Sequence, residues 1–149
     1  MNRKILLLHT LIFYLLSFAI LPAAQTNFFE KGKELFDNKK YEKSKFFFQR
    51  DIVFNPKSEK SYLYLAKIFN KSSNEEETEV NLNNVLVLNP KNDEAIYMLA
   101  ILKIEQSNYN EARDLIEKFT KVCKSFCVKK KEIEEKFNKL IPVDAKNNN

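Results

Sequence analysis

Between residues 28 and 140 the apolar side chains recur at helical spacing, separated by short polar breaks. In 59–70, Tyr62, Leu65, Ala66 and Phe69 stand at i, i+3, i+4 and i+7, one face of an α-helix. In 93–106, Ile96, Leu99 and Ala100 repeat that face. The apolar runs Ile52-Val53-Phe54 and Val85-Leu86-Val87-Leu88 each close on Asn-Pro, at Asn55-Pro56 and Asn89-Pro90, 34 residues apart. The same step carries Phe28 to Tyr62 to Ile96, Leu35 to Phe69, Phe48 to Leu82 to Ile116, and Gly32 to Ala66 to Ala100. Helical stripes on such a period predict stacked helix pairs, and the small column lets the two helices of a pair approach closely. Ser58 and Asn92 are placed to cap the helices that follow them, and Pro56 and Pro90 to stop those before. Residues 126–140 predict one more helix, with Phe126, Ile133, Phe137 and Leu140 in one stripe and lysines and glutamates elsewhere. Such a helix suits the end of an array, apolar towards the last pair and charged towards water. Residues 142–149 are expected to be a disordered tail.

The columns resemble the tetratricopeptide repeat, a helix–turn–helix unit of this length. Residues 25–58 match its pattern with Phe28, Gly32, Leu35, Tyr41, Ser44, Phe48 and Pro56. Residues 59–92 match with Tyr62, Leu65, Ala66, Phe69, Thr78, Leu82 and Pro90, and residues 93–126 with Ile96, Leu99, Ala100, Tyr109, Ala112 and Ile116. The resemblance covers about two-thirds of the chain. It implies an all-α, right-handed superhelical array of three helix pairs with a capping helix, within residues 25–141. Four positions depart from the pattern: Lys31 replaces an apolar residue, Asp51 a small one, Lys103 an aromatic, and Lys124 the third closing Pro.

Composition narrows the class. One Gly in 149 residues leaves little material for tight hairpins or a phosphate-binding loop, so an all-β fold and a nucleotide site are both disfavoured. The N-terminus reads as an export signal: Arg3 and Lys4, then an apolar stretch from Ile5 to Leu21, then Pro22-Ala23-Ala24. Pro22 fits a cleavage site poorly, so cleavage after residue 24 and an uncleaved membrane anchor both stand. Removing residues 1–24 lowers the net charge from +5 to +3, since Arg3 and Lys4 leave with no acid. That balance argues against a nucleic-acid partner. The expected location is the periplasm, free or anchored.

An exported chain with two cysteines favours a disulfide, and Cys123–Cys127 would staple the cap to the array. The alternative is two free thiols on one continuous helix. The only histidine is His9, inside the export stretch, so histidine triads and histidine metal sites are excluded from the rest. No metal or cofactor is expected, and no catalysis.

The resemblance implies a partner site on the inner, concave face, lined by the first helix of each pair. Carried over, that face presents Phe29, Lys33 and Phe36, then Leu63, Tyr64 and Lys67, then Tyr97, Met98, Ile101 and Ile104. An apolar strip with Lys33 and Lys67 suits a protein or peptide segment in the envelope, its acids meeting the lysines. Some of these residues could instead pack between helices. A carboxylate clamp, known in the family, is not matched: its places hold Phe29, Lys33, Tyr64, Glu94 and Met98, with one cation. The alternative function is a self-associating, membrane-anchored array.

Overall fold

The computed structural model describes residues 27–141. The segments expected to be an export signal, 1–24, and a tail, 142–149, lie outside the described residues. Seven α-helices follow in order: α1 (Phe28–Asp37), α2 (Tyr41–Phe54), α3 (Glu59–Lys71), α4 (Glu75–Leu88), α5 (Asp93–Glu105), α6 (Tyr109–Val122) and α7 (Lys130–Leu140). They form three pairs, α1–α2, α3–α4 and α5–α6, with α7 packed on both helices of the last. The chain is an all-α helical repeat array.

The small column packs as its spacing requires. Gly32, Ala66 and Ala100 are all buried. A β-carbon on Gly32 would stand 2.7 Å from the Phe48 ring, so α1 and α2 meet at a glycine of necessity. Ser44, on α2, uses the same approach to donate to the Gly32 carbonyl at 2.8 Å. Phe48, Leu65, Leu82, Ile96, Phe119 and Ile133 are fully buried, each contributing about 1.5–3 kcal/mol.

Within each pair the turn has one design, repeated on the 34-residue period. Lys39, Ser73 and Ser107 all hold positive φ, at 58°, 55° and 58°. The next N–H then reaches back to the last turn of the first helix: Lys40 to the Leu35 carbonyl, Asn74 to Phe69, Asn108 to Lys103, at 2.8–3.0 Å. This left-handed closure usually takes glycine, and none of the three positions has one.

Between pairs a second device repeats. Glu59, at the start of α3, accepts from the Asn89 and Asn92 side chains in the turn between α4 and α5. Asp93, one period on, accepts from the backbone N–H groups of Lys124 (2.7 Å) and Phe126 (2.9 Å) in the turn after α6. A proline at 124 has no N–H to give, so the missing third Pro is a requirement of this bond.

The other departures are likewise partnered. Lys31 is exposed and pairs with Glu34. Asp51 is buried and accepts from Ser61 of α3. One period later the same two places hold Val85 and Ala95, both buried. The lysine at 103 is buried between Glu79 and Glu111. Burial works against its charge, but the two carboxylates prevail and hold its pKa above the usual lysine value.

Three expectations need correction. Ser58 does not cap α3; its hydroxyl donates to Ser61 at 3.0 Å, extending the Asp51 chain, whereas Asn92 does cap α5 by accepting from the Ala95 N–H. The terminal helix begins at Lys130 rather than 126, because Cys123 adopts an extended ψ of 142° and Cys127–Lys129 form a short 3-10 turn. In its apolar stripe Leu140 is exposed and Ile141 is buried instead. The Cys123 and Cys127 sulfurs are bonded, spanning the break between α6 and the 3-10 turn.

Two predictions follow from these turns and interfaces. Glycine at Lys39, Ser73 or Ser107 should raise stability by about 0.5–1 kcal/mol each in urea melts, by relieving the left-handed residue. Ser61→Ala should cost about 2 kcal/mol by stripping a donor from buried Asp51, and adding Asp51→Val should recover most of that loss. Additive losses in the double variant would contradict the substitution of one interface by the other.

Candidate partner-binding groove

Helices α1, α3 and α5 share one face, and two hollows run along it. The first, of about 370 Å³, is lined by Phe29, Glu30, Lys33, Lys60, Leu63, Tyr64, Lys67 and Glu94. The second, of about 470 Å³, is lined by Phe36, Lys67, Asn70, Lys71, Glu94, Tyr97, Met98, Phe126 and Lys129. They meet at an ion pair between Lys67 and Glu94, 2.8 Å apart.

Tyr64 organises the first hollow. Its ring lies 5.8 Å from Phe29, 5.0 Å from Phe36 and 5.0 Å from the buried Phe48, so one tyrosine ties α1, α2 and α3. The Lys67 ammonium lies 4.9 Å from its centroid. Burial pushes the Tyr64 hydroxyl above the ordinary tyrosine value, against the pull of Lys33. Tyr97 organises the second hollow, its ring 5.9 Å from Phe119 and 5.5 Å from Phe126. Its hydroxyl donates to Glu132 of α7, and burial together with that carboxylate raises its pKa well above the usual range. Both tyrosines therefore stay protonated through neutral pH.

Of the ten residues read from the register, eight line these hollows: Phe29, Lys33, Phe36, Leu63, Tyr64, Lys67, Tyr97 and Met98. Two do not. Ile104 is buried in the core, and Ile101 packs half-buried against the same core. The reason is α7, whose Glu132 binds Tyr97 and whose Lys136 binds Glu105. These two bonds bracket the stripe of α5 that carries Ile101. Leu63 borders the first hollow but is itself mostly buried.

The lysines also differ from expectation. Lys33 pairs with Asp37 at 2.7 Å, which raises its pKa, and Lys67 pairs with Glu94. Lys129, at the far end, pairs with Glu132. Lys33, Lys67 and Lys129 thus each have a carboxylate of the same chain, whereas Lys60 and Lys71 lie over the rings of Phe29 and Tyr41 and leave the face a basic edge. What remains is ring faces, a thioether and those two ammonium groups.

Phe126 was placed by its sequence on the terminal helix, yet it enters the groove. The signal was one step away: Asp93 and the cysteine pair both act on the segment 123–127 that holds it. Asn70 could have been found by the column that holds Phe36 and Ile104. Lys60, Lys71 and Lys129 carried no signal above ordinary surface lysines.

No family model matches the sequence, and no curated protein aligns with it. Solved structures do match its fold. The type III secretion translocator chaperone SycD of Yersinia enterocolitica superposes with a TM-score of 0.70 at 12% identity, over 81% of this chain and 86% of that one. The TPR domain of Sgt2 from Aspergillus fumigatus gives 0.64 at 16% identity, over 81% and 83%. A chain of the CopN–Scc3 complex gives 0.62 at 20%, over 74% and 65%. The chain therefore has the tetratricopeptide-repeat fold.

The groove's far wall depends on Asp93. Partial burial pushes its carboxyl up, but the N–H groups of Phe126 and Lys124 outweigh that and hold it below the ordinary aspartate value. A depressed carboxyl adds stability that is present above its unfolded-state pKa and is lost as pH falls through the folded-state value. Asp93→Asn should therefore cost about 1–2 kcal/mol at neutral pH in urea melts, with the gap from wild type closing below about pH 4. A gap unchanged at acid pH would remove Asp93 from this role.

Proposed function

We propose that this protein is a non-catalytic interaction module of the cell envelope that holds a segment of a partner protein along the α1–α3–α5 face. One observation carries the reading. Half-buried ring faces of Phe29, Phe36, Tyr64, Tyr97 and Phe126, with Met98, stand along one preformed surface. On it Lys33, Lys67 and Lys129 are matched by carboxylates, and Lys60 and Lys71 lie at the edge over ring faces. Such a surface takes an apolar or aromatic segment, with Lys60 and Lys71 left to meet an acid at its flank. Because the helices are fixed by their own core, binding orders little of the scaffold, which favours affinity.

The envelope location rests on the N-terminal sequence and on the cysteine pair, which suits an oxidising compartment. Two of the fold relatives are, by their descriptions, a translocator chaperone and a member of a two-protein complex, which agrees with a holding role. The partner's access is to the first two helix pairs and to the N-terminal half of α5, with Tyr97 and Met98. The stripe of α5 beyond Met98 is taken by α7.

Photo-cross-linking tests this without disturbing the core. A photoreactive side chain at Lys33 or Met98 should give discrete adducts in the envelope fraction of cells, and one at the exposed Asn83 of α4 should give none. Adducts at twice the chain's own mass would turn the site into a self-association surface. Equal adducts from all three positions would end the groove reading.

A further inference from the structure

The outer face of α2 exposes a run of large apolar side chains to water, which a soluble surface avoids unless something covers it. Phe46 is 51% exposed, Phe54 58% and Val53 73%. The exposed rings are not scattered. Phe28 stacks on Phe54 at 5.4 Å and reaches Phe47 at 6.4 Å, and Phe47 meets Phe46 at 5.5 Å. The Arg50 guanidinium lies 5.1 Å from the Phe28 centroid and 5.5 Å from that of Phe46.

Projected at about 100° per residue, Val53, Phe46, Arg50, Lys43, Phe54 and Phe47 fall within an arc of about 120° that holds no acid. The period offers an internal control. Lys43 corresponds to Glu77 and Glu111, and Phe46 to Val80 and Asp114. Arg50 corresponds to Asn84 and Lys118. The same face is thus aromatic and basic in the first pair, aliphatic with an acid, Glu77, in the second, and of mixed charge in the third. Nothing about the fold requires that difference.

The sequence places the apolar stretch Ile5–Leu21 six residues ahead of Phe28, whose ring is part of the cluster. With six residues between them, Leu21 and Phe28 are at most about 25 Å apart. Any bilayer that receives the stretch therefore lies within reach of this face. Aromatic rings beside arginine and lysine are the side chains that settle at the headgroup level, the rings among the upper acyl chains and the cations on phosphate.

We propose that the outer face of α2 docks on an anionic lipid surface, with Phe46, Val53 and Phe54 entering it and Lys43 and Arg50 meeting the headgroup phosphates. The surface shares no residue with the groove, so the array would lie on the bilayer by its first pair with the groove still open. A failed groove cross-link leaves this proposal standing, and a failed docking test leaves the groove.

The chain has no tryptophan, so one substitution gives one fluorophore. Full-length Phe54→Trp and, as a control, full-length Val87→Trp, at the 79%-exposed site of α4 that matches Val53, are bound to phosphatidylcholine–phosphatidylglycerol vesicles. Brominated acyl chains then report contact with lipid. The Phe54→Trp protein should be quenched several-fold more than the Val87→Trp protein. Adding Lys43→Glu and Arg50→Glu should abolish the difference at unchanged helix content. Pure phosphatidylcholine vesicles, which remove the anionic charge without touching the protein, should weaken it. Equal quenching of the two variants overturns the proposal. So does a blue-shifted but unquenched Phe54→Trp emission, which would mean that protein covers the face, from residues 5–21 or from a second copy.

Discussion

With the Phe48 ring 2.7 Å from where a β-carbon on Gly32 would stand, α1 and α2 meet with no room for a side chain at residue 32. Alanine suffices at 66 and 100, where Leu82 and Ile116 replace Phe48 on the partner helix. The small column and the bulky column are one fit, read from opposite sides. Once it is made, the polar turn between the helices has to reverse the chain within three residues. The left-handed residues Lys39, Ser73 and Ser107 and the back-reaching N–H groups of 40, 74 and 108 are the result. Stacking the pairs then fixes which face of α1, α3 and α5 stays accessible. The groove is a consequence of helix contact.

The departures from the repeat pattern show how such an array tolerates polar insertions. Lys103 sits where an aromatic residue would, and two acids from the flanking helices, Glu79 and Glu111, neutralise it. Asp51 sits where a small residue would, and Ser61 supplies its donor. In both cases the compensating residue lies on another helix at another column. A solenoid permits this because each unit answers only to its neighbours. Replacing Asp51 and Ser61 by an apolar pair is what the chain itself does one period later, with Val85 and Ala95.

That locality also explains what could and could not be read in advance. Helix pairs, their boundaries at Pro56 and Pro90, the buried small column and most of the groove follow from period and stripe, which are properties of single columns. Ion pairs are not. The sequence offers no way to tell that Lys67 is answered by Glu94, 27 residues on, or that Lys33 is answered by Asp37 and not by a partner's carboxylate. The end of the array departs from its apolar stripe for a related reason. The stripe of 126–140 is real, but the carboxylate of Asp93 and the cysteine pair draw residues 123–127 out of helix, and the true helix starts four residues later. Tertiary bonds overrode periodicity there, and they also turned Phe126 from a cap residue into a wall of the groove.

The two ends of the array are finished differently. At the C-terminal end α7 covers the stripe of α5 with Ile133 inward and charged residues outward, and the Cys123–Cys127 bond closes a short loop, worth about 2 kcal/mol by loop entropy, next to the covered stripe. At the N-terminal end no described helix precedes α1, and the rings of Phe28, Phe46 and Phe54 remain in a row under Arg50. A free helical array would need the reverse, since water penalises exposed aromatic surface and a polar first pair is easily built. On the docking proposal this asymmetry has a cause. The helix α7 turns its charges to water, and the outer face of α2 turns rings and cations to an anionic lipid surface.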